Sequence, residues 1–297
     1  MTTRPSPAQL AAITRLFSVG PLREIGTAGC SPLFARLVDQ SGLAAAANSS
    51  SLVQDVFDAA FDILARDHYR SEYVYLAAIA AKVLLGRHSV RSATLLSEFR
   101  VASRRVDAVL LNGHAVAYEI KSERDTLDRL PTQIDAYRQV FSEVNVLTNE
   151  KYATDVVTSV PMDVGVLVLT RMGSIRTIQP PTTDVSRIQS TIVFDSLRRP
   201  EALAILAMYG IPVPERPNTQ MHAALRAEFA RLNPAQAHDG MVAILKRSRG
   251  LQSREEILRR LPKSLNAAIL TGRFSNDERE RIAAAMLVPL DRALNWA

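Results

Sequence analysis

Apolar positions in the first half of the chain recur at three and four, switch to two, and then return to three and four. In "SLVQDVFDAAFDILARD" the residues Val53, Val56, Phe57, Ala60, Phe61 and Leu64 make one helical stripe. Ser50 or Ser51 is placed to cap it. "SEYVYLAAIAAKVLLG" predicts a second helix, closed by Gly86. The period then shortens, and strands are predicted over 95–101, 104–111 and 114–121. Between the last two, Asn112-Gly113 is a hairpin signal, because a two-residue turn of this kind needs positive φ at both positions. These three strands should form an antiparallel meander.

After Lys121 the helical period returns in Leu127, Leu130, Ile134, Tyr137 and Phe141, with Pro131 suited to a first helical turn. "EVNVLT" (143–148) reads as a strand. "EKYATDVVTSV" reads as a helix stopped by Pro161. "VGVLVLT" (164–170) is nearly all apolar, as in a strand covered on both faces. "RMGS" turns it into "IRTIQ". The order α-β-β-β-α-β-α-β-β predicts an α/β fold with a mixed sheet flanked by helices. "QPPTTD" (179–184) marks a boundary. The expected organisation is an N-terminal arm over 1–50, an α/β domain over 51–180 and a helical C-terminal region over 185–297. Residues 1–32 read as loosely organised, with Ser31 and Pro32 opening a short helix.

Composition narrows the class. The 297 residues are 47% hydrophobic and 22% charged, ordinary for a globular protein. No apolar run approaches the roughly 20 residues of a membrane span, and the N-terminus lacks an apolar signal core, so a cytoplasmic protein is expected. Cys30 is the only cysteine, which excludes an intramolecular disulfide and a cysteine-rich zinc site. The five histidines show no metal-ligand spacing. Net charge is +6, and +5 of it lies from Lys246 onward, which suits a nucleic-acid partner or a solvated helical face.

Glu119 and Lys121 alternate with apolar neighbours on one strand and therefore share a face. About a two-residue turn, Leu111 opposes His114, which sets Asp107 opposite Tyr118 and beside Glu119 unless a bulge intervenes. Converging carboxylates bind a hard cation such as Mg²⁺ or Mn²⁺ and leave positions for water and phosphate. An adjacent ammonium can orient the water or neutralise developing charge. Gln133 and Tyr137, at i and i+4, lie on one face of the following helix. Arg124 and Arg129 in the intervening loop suit phosphate contact. Alone, the Glu-x-Lys alternation is what a half-exposed strand displays.

Together these segments resemble the PD-(D/E)XK nuclease superfamily, restriction-endonuclease-like proteins with an αβββαβ core. Asp107 matches its aspartate and Glu119-Ile120-Lys121 its (D/E)-x-K, although Val106 stands where the pattern has proline. "QIDAY" is similar to the Q-x-x-x-Y of the branch related to the RecB nuclease domain and phage lambda exonuclease. Residues 69–178 are similar to a bacterial family within that superfamily. The resemblance implies Asp107 and Glu119 as metal ligands, with the Ile120 carbonyl as a third. It implies Lys121 as the group that positions water, and Gln133 and Tyr137 as orienting residues. Glu72 fits an additional acid from the first core helix, and Glu98 is a rival for that role. The implied function is metal-dependent hydrolysis of phosphodiesters, in DNA first, with a homodimer or complex partner suited to cutting two strands. A protein of this fold that binds nucleic acid or a partner without cutting, or a defence or toxin component, is the alternative.

Overall fold

The computed structural model describes residues 4–46, 48–122 and 125–296. The chain divides into two compact units, residues 1–81 with 253–297, and residues 82–252.

In the first unit, helices Pro7–Leu16 and Val19–Ala28 occupy the stretch expected to be loosely organised. The first of them carries a local signal. Ser6 accepts the Gln9 amide at 3.2 Å, the Gln9 side chain accepts the Ser6 amide at 2.8 Å, and Pro7 opens the helix. Ile13, Leu16, Leu22 and Ile25 are buried. Helix Pro32–Ser41 begins as expected, with Ser31 capping Phe34. Helix Val53–Leu64 is capped differently from expectation. Asp55, not Ser50 or Ser51, takes the Leu52 amide, at 2.8 Å.

The last segment pairs back onto this unit. The Leu290 amide donates to Ser51 at 2.8 Å and the Val53 amide to Val288 at 3.0 Å. Trp296 packs on Phe34 with ring centroids 5.5 Å apart. Residues 253–297 thus group with the N-terminal helices. The 179–184 segment lies inside the second unit.

The second unit is α/β. It holds a six-stranded mixed sheet in the order β1 to β6, namely Thr94–Val101, Arg104–Leu111, Ala115–Ile120, Glu143–Thr148, Gly165–Leu169 and Ile175–Gln179. β1, β2 and β3 are antiparallel, β3–β4 and β4–β5 are parallel, and β6 returns antiparallel. The parallel pairs require crossovers, supplied by helices Leu130–Tyr137 and Ala153–Ser159. Helices farther along the chain cover the sheet. Phe194, Ile205, Phe229 and Met241 share one buried cluster with Val109, Ala117, Val144 and Val166. This shared core is why much of the expected C-terminal helical region packs with the sheet. The helix expected to close at Gly86 takes a π-helical path over Ile79–Leu84, and Gly86 falls inside its last turn, Leu85–Arg87. Among the described residues no helix is long and apolar enough to cross a membrane.

The β2–β3 turn differs from the expected two-residue hairpin. Leu111 pairs with Ala115, leaving a three-residue loop in which the Asn112 amide donates to the His114 carbonyl at 3.1 Å. Gly113 has φ of +124°, a conformation that favours glycine, whereas Asn112 keeps negative φ. Asparagine therefore does not pay for the second left-handed position, and the pairing shifts by one residue. The ladder reaches Ala108↔Tyr118, which brings Asp107 level with Glu119 instead of Tyr118.

Candidate functional site

That one-residue shift decides the site. Directly opposed residues of an antiparallel pair point to the same face, so Asp107 and Glu119 converge, whereas the expected register set Asp107 beside Glu119 but opposite Tyr118, on the face of that tyrosine. Asp107 Oδ2 accepts the Ile120 amide at 2.6 Å and so ties β2 to β3 at the site.

Glu119 is the hub, with 2% of its surface exposed. Its Oε1 receives the Lys121 ammonium at 2.9 Å and the Gln133 side-chain amide at 2.5 Å. Its Oε2 receives the Tyr137 hydroxyl at 2.9 Å. The Tyr137 hydroxyl also lies 2.8 Å from the Arg105 carbonyl, so its single proton serves one acceptor at a time. Burial first, and then the Glu119 charge, hold the Tyr137 phenol well above its usual pKa, which keeps it a donor. Tyr137, fully buried, is thus a core residue and a site residue at once.

The local folding follows from the sequence. β3 alternation places Glu119 and Lys121 on one face, and the Lys121 amide donates to the Leu147 carbonyl of β4 at 3.0 Å. Pro131 lies at the start of helix Leu130–Tyr137. Leu130, Ile134 and Tyr137 bury one stripe of that helix, which turns Gln133 and Tyr137 toward Glu119.

Glu98 faces the position of Asp107 across β1–β2. The ladder runs Ser97↔Ala108 and then Phe99↔Val106, with Glu98 between at φ of +52°. Such a conformation is costly for a side-chain-bearing residue and is found where geometry is over-determined, as at functional sites. Its carboxylate comes within 4.8 Å of that of Asp107. Glu98 also pairs with Arg105 at 3.3 Å, both side chains being more than half exposed. Glu72 begins helix Glu72–Ala78 in the first unit and is exposed. Arg129 is exposed at the start of helix Leu130–Tyr137, and its carbonyl takes the Gln133 amide at 3.0 Å. Arg124 lies outside the described residues.

Do these residues fit a hard cation? The donors of Asp107 and Glu119 are carboxylate oxygens on one face, the ligand type that Mg²⁺ and Mn²⁺ take. Gln133 Oε1 is buried and has no partner among the described residues, so the site offers an unused acceptor to a polar guest such as water. They fit.

Sequence spacing gave no hint of a second cluster, at the other end of β3. His238 is buried on helix Pro234–Ser248. Its Nε2 lies 3.2 Å from the Ala115 amide and 3.1 Å from Ser142 Oγ, and its Nδ1 lies 2.8 Å from Asp239. The spacing is that of a Ser-His-Asp triad. The Ala115 amide, however, already occupies Nε2, and Ser142 is buried, so the cluster ties helix to sheet. His238→Leu strands the Ala115 amide and should cost about 1–3 kcal/mol. Urea unfolding measures this, and a loss below about 0.5 kcal/mol would contradict the tie.

A family model described as bacteriophage P4 protein cII matches residues 65–265, a span that contains every residue of the site. Protein cII of Enterobacteria phage P4 is 31% identical over 147 residues, 48% of this chain and 54% of that protein. The chain thus spans about half the length of that curated relative. A solved protein of unknown function from Silicibacter pomeroyi aligns at 16% identity with a TM-score of 0.31, over 45% of this chain and 88% of its own.

Proposed function

We propose that this chain, which belongs to the bacteriophage P4 protein cII family, is a metal-dependent nuclease that hydrolyses phosphodiester bonds, with DNA as its substrate. The observation that carries the proposal is the convergence of Asp107, Glu119, Lys121, Gln133 and Tyr137 at one end of β3. These are also the residues through which the chain resembles the PD-(D/E)XK superfamily.

Asp107, Glu119 and the Ile120 carbonyl would hold Mg²⁺ or Mn²⁺, which when bound supplies Lewis-acid stabilisation of phosphoryl oxygens and a more acidic water. Lys121 carries three N–H donors on a stem that is largely buried. It aims one at Glu119, and the others can orient water or meet charge that grows on a phosphoryl oxygen. Gln133 and Tyr137 fix the Glu119 carboxylate from the helix side, so the carboxylate is already oriented. Asp107 holds the Ile120 amide and thereby fixes the backbone between Glu119 and Lys121. Exposed Arg129 supplies positive charge beside the site for a phosphate backbone. Glu98, whose carboxylate approaches that of Asp107, is the further acid that this unit offers.

The test is calorimetric titration of Mn²⁺ into wild type and Asp107→Ala. Wild type should bind, and the variant should bind at least about tenfold more weakly. A wild type that takes up no Mn²⁺ yet still binds DNA would favour a binding protein that does not cut.

A further inference from the structure

Thr148 ends β4 one residue beyond Leu147, the register partner of Ile120. It therefore stands level with Lys121 on the adjacent parallel strand, roughly 5 Å away at the backbone. Faces alternate along both strands. Glu119 pairs with Val146, so Lys121 and Thr148 are the next positions on that same face. Thr148 has 0% of its surface exposed, and its hydroxyl finds no partner among the described residues. A buried hydroxyl left unpaired costs stability, so an apolar residue would serve the fold better at this position.

We propose that Thr148 is a positioning residue of the site, whose hydroxyl accepts an N–H of the Lys121 ammonium whenever Glu119 engages another partner. The inference rests on the nuclease reading. Lys121 is now anchored by Glu119 at 2.9 Å. Anything that takes Glu119 Oε1 removes that anchor, and the ammonium then needs another acceptor to stay aimed. Thr148 supplies an oxygen on the neighbouring strand, held in place by a β-branched side chain with few rotamers. The hydroxyl acts through Lys121, so its removal should disturb turnover more than substrate binding.

The experiment compares wild type, Thr148→Val and Thr148→Ser as full chains. It measures DNA cleavage with Mg²⁺ and, separately, thermal melting without metal. Valine keeps the shape and removes the hydroxyl. Serine keeps the hydroxyl. Thr148→Val should lose about 10- to 100-fold in kcat with little change in KM. It should also melt about 2–4 °C higher, because the unpaired hydroxyl is gone. Thr148→Ser should stay within about threefold of wild-type kcat. The inference is overturned if Thr148→Val cuts at the wild-type rate, if serine is as slow as valine, or if Thr148→Val melts lower. A wild type that cuts no DNA would instead overturn the nuclease reading, and this role with it.

Discussion

Replacing Lys121 with Met is expected to slow DNA cleavage about 10³-fold while leaving the fold in place. The side chain is 11% exposed, so its ammonium sits where solvent screens it little and where a directed N–H stabilises charge most. Methionine keeps the length and apolar character of the stem, and so avoids the cavity that Ala would leave. Glu119 would still receive Gln133 at 2.5 Å and Tyr137 at 2.9 Å, so its carboxylate is not stranded. The loss should fall on kcat, because in the proposed reaction the ammonium would act on charge that develops in the transition state. Single-turnover cleavage measures this, with circular dichroism as the check on folding. A folded Lys121→Met protein that keeps a tenth or more of the wild-type rate would remove Lys121 from the chemistry.

The second large effect lies in the scaffold. Glu201, 4% exposed on helix Arg199–Met208, receives Arg249 through two bonds of 2.7 Å and the Arg198 amide at 2.8 Å. The Arg249 guanidinium also lies over Phe99, 5.6 Å from the ring centre. Glu201→Ala leaves a cation in a low-dielectric setting without its partner, and should cost about 3–5 kcal/mol. Burial by itself would raise the Glu201 pKa, but the bonds from Arg249 and the Arg198 amide outweigh it and hold the carboxyl below its ordinary value. Folding therefore favours the ionised form. Its contribution is complete above the unfolded value of about 4.3 and is lost as pH falls through the lower folded value. Hydrogen exchange of the strand peptides under urea should show reduced protection in Glu201→Ala at pH 7. The gap between variant and wild type should narrow as pH falls below about 4. An unchanged exchange pattern at pH 7 would mean that the pair does not hold the helix.

Alternation and period located the sheet closely. The strands at 104–111 and 143–148 have the expected bounds, because each is a short stretch at least half apolar that ends at an asparagine, Asn112 or Asn149. The pairing register was less legible. It depended on whether Asn112 would accept positive φ, and a one-residue difference there moved Asp107 to the face of Glu119. The N-terminal helices were missed although Ser6, Pro7 and Gln9 carry a capping box, because ten-residue helices gain most of their stability from partners distant in sequence. Long-range packing also explains why residues 253–297 leave the other C-terminal helices and join the first unit. Thr148 had no sequence signal at all. A threonine at a strand end is ordinary, and only its register beside Lys121 and its unpaired hydroxyl set it apart.

The most direct measurement is cleavage of supercoiled plasmid by the purified full chain, with Mg²⁺ or Mn²⁺ and with a chelator. A metal-dependent nuclease should give nicked or linear product that requires the metal and is absent with Asp107→Ala. Intact plasmid under every metal tested, from protein shown to be folded, would contradict the nuclease reading.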